Sequence, residues 1–145
     1  MKDKIDMNSE CLCYELRRTS RAITRLYDSF FADTGLTYCQ YSLLYDFLTL
    51  SAKPATEVAN AISSHRSTIN RLVKPLLAKG FLESIKLKDK RVAAYVITKQ
   101  GRQKVDDLHD NWESAKTEVT ALIGAADYNK ILGGLHSVLQ SMDIR

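Results

Sequence analysis

The sequence predicts a mainly helical chain with a small β-hairpin, an α+β arrangement in which a winged helix-turn-helix lies between N- and C-terminal helices. Three observations predict it. From Lys53 to Gly101 a short helical pattern, an interruption, a longer helical pattern and two β-rich runs follow one another directly. The connection between those runs, Lys88-Asp89-Lys90-Arg91, is entirely charged. Basic residues gather in the same stretch: Lys53 to Lys104 hold 12 Lys and Arg against 3 Asp and Glu, a net of +9, while the rest of the chain is net −5.

Taken in order, Met1 to Met7 is polar and expected to fray. Ser9 can cap a helix from about Glu10 to Phe31, in which Leu12, Leu16, Ile23, Tyr27 and Phe30 recur at helical spacing and Arg17, Arg18, Arg21 and Arg25 fill much of the remainder. Gly35 ends it. Tyr38 to Leu50 is a second helix whose apolar residues surround it almost completely, so it is expected to be buried on most sides.

Ala55 to Ile62 then places Val58, Ala59 and Ile62 on one face, and Ser63-Ser64 interrupts it. From His65 to Lys79 an apolar stripe (Ile69, Leu72, Val73, Leu76, Leu77) leaves Arg66, Ser67, Asn70, Arg71 and Lys74 on other faces. Ser64 or His65 must cap this helix. Pro75 inside it predicts a kink between Arg71 and Leu77 that spares the N-terminal half. Gly80 closes the helix, and Phe81 to Leu87 and Val92 to Thr98 read as strands. This is the plan of a DNA reader whose second helix enters the major groove while the wing reaches phosphates or the minor groove. Ser64, His65, Arg66, Ser67, Thr68, Asn70, Arg71 and Lys74 are the candidate groove contacts, and Lys88, Asp89, Lys90 and Arg91 the wing contacts. Asn70 and Arg71 are the candidates for base readout, because Asn pairs with adenine and Arg with guanine in bidentate fashion.

After the wing, Val105, Leu108, Trp112, Ala115, Val119 and Leu122 form a continuous seam of three- and four-residue steps. Gly124 breaks it, Asp127 can cap the next helix, and Tyr128, Ile131, Leu132, Leu135, Val138, Leu139 and Met142 form a second stripe. Two apolar seams exceed what a small winged helix can cover, so residues 1–36 and 102–145 are expected to pair with a second copy while 37–101 contact DNA.

Leu36-Thr37-x-x-Gln40, Thr56-Glu57-Val58-Ala59, Arg66 to Leu72, Lys79-Gly80-Phe81-Leu82, Asp89-x-Arg91 and Thr98-Lys99-x-Gly101 together resemble the MarR family of bacterial winged-helix regulators. The resemblance covers nearly the whole chain. It implies a homodimer on a pseudo-palindromic operator, with Arg91 in the minor groove and Asp89 orienting it. Ser63 departs from the family pattern, where glycine is frequent, as do His65 at the cap and Ser84, where many relatives carry arginine.

Within the first 41 residues the chain is similar to the organic-hydroperoxide-sensing branch of that family. By that resemblance Cys13 is the oxidised thiol, with Tyr27 and Tyr38 donating to its sulfur. Arg17 lies one turn from Cys13, where that branch usually has a third tyrosine, and a nearby cation favours thiolate. Cys11, Cys39 or an external thiol could resolve a sulfenic acid at Cys13. A small aromatic ligand beside Tyr38, Tyr41 and the first helix is the alternative effector, and a thiol peroxidase using Cys13 the alternative from another class. No cofactor is expected and no metal site, since Cys11, Cys13, Cys39 and the histidines do not have ligand spacing. No apolar run approaches the roughly 20 residues of a membrane span. Three cysteines without a disulfide framework suit a cytoplasmic protein.

Overall fold

The structure, a computed structural model, describes residues 10–89 and 92–142. Helix α1 (Leu12–Phe31) leads to α2 (Tyr38–Leu50), α3 (Ala55–Ala61) and α4 (Arg66–Ala78). The strands β1 (Leu82–Lys86) and β2 (Ala93–Ile97) follow, then α5 (Lys99–Asp107), α6 (His109–Ile123) and α7 (Ala125–Met142). The strands pair antiparallel, with Leu82 opposite Ile97, Ser84 opposite Tyr95 and Lys86 opposite Ala93. Mainly helical with one two-stranded hairpin, the architecture is the expected one.

Each junction is built by a few side chains. Thr37 caps α2 reciprocally: its hydroxyl accepts from Gln40 N at 3.2 Å while Gln40 Oε1 accepts from Thr37 N at 3.0 Å. Asp28 of α1 accepts from Tyr38 N at 2.8 Å, so α1 holds a second backbone donor at that helix start. Thr98 caps α5 by accepting from Gly101 N at 2.9 Å and donates to the Gly80 carbonyl at 2.7 Å, joining the end of α4 to the start of α5. Gly101 is required at its place, since a Cβ would collide with the Phe81 carbonyl oxygen and approach Ile97 Cγ1 at 2.9 Å.

One continuous core joins α2, α3, α4, the hairpin and α5, with Leu44, Phe47, Val58, Ile69 and Leu76 fully buried. A smaller cluster of Tyr27, Ala115 and Val119 joins α1 to α6, and Trp112 packs against both. Residues 51–54 run beside β2: Ala52 N donates to Tyr95 O at 2.8 Å, Ile97 N to Ser51 Oγ at 3.2 Å, and Pro54 bridges Ala94. The wing is thereby tied to the helix-turn-helix by a segment the sequence showed only as a loop.

Several expectations need correction. Helix α1 begins at Leu12 with Cys11 as an extended N-cap residue, so Cys11 precedes the helix; Ser9 lies outside the described residues. Helix α2 is not buried all round, because Tyr45 is 54% exposed. The seam after the wing is divided between α5 and α6 at Leu108 (φ −98°, ψ 3°). Its partners explain the break: Val105 and Leu108 belong to the winged-helix core, Ala115 and Val119 pack against α1, and Leu122 is exposed. Asp127 sits inside the first turn of α7 rather than capping it.

Candidate nucleic-acid interface

Helix α3 ends in a Schellman turn. Ser63 N donates to Asn60 O at 3.1 Å and Ser64 N to Ala59 O at 2.8 Å, which satisfies two carbonyls that would otherwise be orphaned. Ser63 takes the left-handed conformation at φ 51°, the one usually given to glycine. His65 is the N-cap of α4 (φ −91°, ψ 143°), and among the described residues neither it nor another side chain accepts there; Thr68 N and Ile69 N bond to the His65 carbonyl. Amide donors at the start of α4 are therefore left uncapped by side chains, at the end of the helix where the partial positive charge of its dipole favours phosphate.

Ile69, Val73 and Leu76 bury α4 in the core. That fixes its rotation and sends His65, Arg66, Ser67, Asn70, Arg71 and Lys74 outward, all exposed, with Ser64 and Thr68 half-buried at the edge. The helix continues unbroken through Pro75, which has no N–H to give the Arg71 carbonyl. At the wing, Lys88 and Asp89 are exposed and Val92 N bonds to Asp89 O at 3.1 Å. Lys90 and Arg91 lie outside the described residues. The protein thus presents a helix with a hydrogen-bonding, cationic outer face beside a basic hairpin, side-chain types that can pair with base edges or with phosphates.

The sensing residues are brought together only in part. Tyr27 and Tyr38 meet, with ring centroids 4.4 Å apart. Burial, with Tyr128 and Tyr38 nearby, pushes the Tyr27 hydroxyl up to about 12, and burial foremost raises Tyr38 as well. Cys13 and Arg17 are exposed near the start of α1. Fourteen residues of helix, about 21 Å at 1.5 Å per residue, separate Cys13 from Tyr27, so within one chain neither tyrosine reaches its sulfur. Cys11 is half-buried, Cys39 is exposed in the first turn of α2, and both thiols are free. Desolvation and the facing Asp28 raise the Cys39 thiol, with Arg71 acting in the opposite sense. Among the described residues, no three His, Cys, Asp or Glu side chains could hold a metal together.

Beside Tyr38 and Tyr41, where the sequence suggested a ligand, the structure has a cavity of about 160 Å³ between α2 and the start of α6, lined by Tyr38, Tyr41, Ser42, Tyr45, His109 and Trp112, with no residue of α1 in its lining. Its α2 side was legible, because residues 38, 41, 42 and 45 follow the spacing of one helical face. The far wall was not, as it depends on how α6 folds back. Lys116 lies 5.3 Å over the Trp112 ring, and His109 stacks 5.4 Å from it.

No protein-family model matches the chain. An uncharacterized HTH-type transcriptional regulator of Bacillus subtilis (strain 168), YwaE, is 29% identical over 102 residues, 70% of this chain. The match spans only 59% of that relative's length. A second uncharacterized HTH-type regulator of that organism, YwoH, is 24% identical over 82% of this chain and 85% of its own. Among solved structures, the M. tuberculosis transcriptional regulator MOSR in complex with DNA is 27% identical, with a TM-score of 0.74 over 91% of this chain and 98% of that one. A mutant MarR from E. coli complexed with operator DNA, 18% identical, reaches 0.79 over 93% and 98%. With the arrangement of α2 to β2 described above, these likenesses show that the chain has the winged-helix fold of the MarR transcriptional regulators.

Proposed function

We propose that the protein is a cytoplasmic, homodimeric DNA-binding regulator, a repressor whose grip on a pseudo-palindromic operator is released by an effector. The outward face of α4 carries this reading: Arg66, Ser67, Asn70, Arg71 and Lys74 are exposed over a fully buried Ile69, Val73 and Leu76. In support, the relatives are regulators rather than enzymes, which leaves the thiol peroxidase without a counterpart among them. Both of the solved structures described above hold DNA. The second copy would cover Leu12, Leu122, Ile131, Leu132, Leu139 and Met142, which one chain leaves exposed. Arg91 of the wing is assigned to the minor groove by resemblance. Titration of DNA from upstream of the protein's own gene tests the reading. Asn70→Ala and Arg71→Ala should each cost about 1–3 kcal/mol and relax base preference. Equal affinity of wild type and both variants would remove α4 from the groove.

For the effector, the cavity favours a small aromatic ligand over oxidation of Cys13. Three tyrosines, His109 and Trp112 supply aromatic walls and hydroxyl and imidazole partners, whereas Cys13 could meet Tyr27 and Tyr38 only from a second copy. The chain has a single tryptophan, so its fluorescence reports on the cavity. Aromatic ligands that release DNA should quench Trp112. Release by one equivalent of organic hydroperoxide in wild type but not in Cys13→Ser would instead establish the thiol switch.

A further inference from the structure

Helix α1 carries four arginines on the side away from the core. At 100° per residue, Arg17, Arg18, Arg21 and Arg25 fall within one sector of about 100°, opposite Ile23, Tyr27 and Phe30. All four are exposed. The nine residues 17–25 contain no acid, although the part of the chain outside Lys53–Lys104 is net −5. Arg18 lies 3.8 Å from Glu15, while Arg17, Arg21 and Arg25 have no ion-pair partner among the described residues.

The stripe leads toward α4. One turn beyond Arg25, Asp28 is bonded to Tyr38 N at the start of α2. Helix α2 in turn packs on α4. The C-terminal end of the stripe therefore lies one turn from the start of α2, the helix on which the recognition helix packs.

We propose that the α1 arginines form a second, sequence-independent contact of this protein with the DNA phosphate backbone, an inference that rests on the DNA-binding reading above. The stripe has the chemistry of that partner. Guanidinium groups match phosphate oxygens bidentately, and the exposed Thr19 and Ser20 add hydroxyl donors beside them. From Arg17 to Arg25 the sector holds no large apolar side chain, Tyr14 one turn earlier being the nearest aromatic on that side, whereas the cores of protein interfaces are depleted of charge and rich in aromatic anchors. From Arg17 to Arg25 the helix rises about 12 Å, the axial length of three to four nucleotides of one strand.

The protein is titrated by fluorescence anisotropy with an operator duplex and with an unrelated duplex of equal length, over a range of salt. Three versions are compared: wild type, Arg17→Gln/Arg21→Gln/Arg25→Gln, and the same three positions as Arg→Lys. The Gln variant should weaken both duplexes alike, on the order of tenfold or more at physiological salt. The slope of log K against log salt should fall by about 1 for each phosphate contact removed, and the Lys variant should restore it. An unchanged slope in the Gln variant, with wild type binding normally, overturns the proposal and makes the stripe a solvated face. Loss of dimer mass in sedimentation with the Gln variant also overturns it, assigning the stripe to a subunit contact. Failure of wild type to bind either duplex overturns the DNA-binding reading itself, so the two failures are separated by the wild-type titration.

Discussion

The winged-helix half and the C-terminal helical end of the molecule obey different rules of burial. From α2 to α5 every element sends side chains into one shared core, and Leu44, Phe47, Val58, Ile69 and Leu76 have no exposed surface. Helix α7 has an equally regular apolar stripe, yet none of its residues is buried, and Ile131, Leu139 and Met142 are between 49% and 65% exposed. The same binary pattern thus yields a finished core in one place and an open face in the other. Pattern specifies which side of a helix is apolar; the number of neighbouring elements decides whether that side is covered. Helix α6 shows the transition, with Ala115 and Val119 buried against α1 and Leu122, one turn nearer α7, 67% exposed.

Substitutions should divide along this line. Gly101→Ala should have the largest effect, about 3 kcal/mol or more of lost stability in urea unfolding, because the new methyl meets the Phe81 backbone and backbone cannot yield as a side-chain tip can. An unaltered midpoint would show that the close approach of α5 to the end of α4 is not maintained. Next, Leu44→Ala in the finished core should cost about 2–5 kcal/mol. Removing as much apolar surface from α7, with Ile131→Ser and Leu139→Ser together, should leave local folding intact and abolish the concentration dependence of thermal unfolding. Should the α7 pair lower stability as Leu44→Ala does, without changing subunit mass, the open face would not be an association surface. Thr98→Ala should be milder, about 1 kcal/mol, for a lost helix cap and the bond to Gly80.

Local signals were legible and remote ones were not. The stripe of α4, the turn at Gly80 and the charged wing could be read because each depends on neighbours in sequence; the strands came out one residue shorter at each end than the β-rich runs suggested. Thr37-x-x-Gln40 and Thr98-x-x-Gly101, recognised as family motifs, turn out to be a capping box and a cap joined to a close backbone contact. Three features were hidden because they join distant residues: the alignment of residues 51–54 with β2, the carboxylate of Asp28 at the start of α2, and the cavity wall supplied by His109 and Trp112. The sensing reading depended on tyrosines near Cys13, and within one chain the length of one unbroken helix places Tyr27 far from it. Among the DNA-contact candidates, the outward direction of Asn70 and Arg71 followed from the burial of Ile69 and Val73, as the periodicity requires.

The smallest expected effect tests the finest distinction within the winged-helix half, where one helix ending is built twice. At the end of α4, Gly80 N bonds to Leu77 O and Phe81 N to Leu76 O, with Gly80 at φ 73°. At the end of α3, Ser63 and Ser64 make the equivalent pair of bonds, but a serine stands at φ 51°. A side chain in this conformation is strained by about 1–2 kcal/mol through contact of its Cβ with the backbone. Glycine would relieve that strain, while its freer unfolded chain gives back part of the gain. Ser63→Gly should therefore raise stability by roughly 0.5–1 kcal/mol, and Gly80→Ser should lower it by a similar or larger amount. If Ser63→Gly is neutral or destabilising, the Ser63 hydroxyl contributes something the backbone bonds do not. Because the turn sets the angle at which α4 leaves α3, the operator titration of Ser63→Gly then has its own outcome. Unchanged affinity with raised stability would make Ser63 a tolerated strain, whereas weakened affinity would show that serine holds the recognition helix at the angle the groove requires.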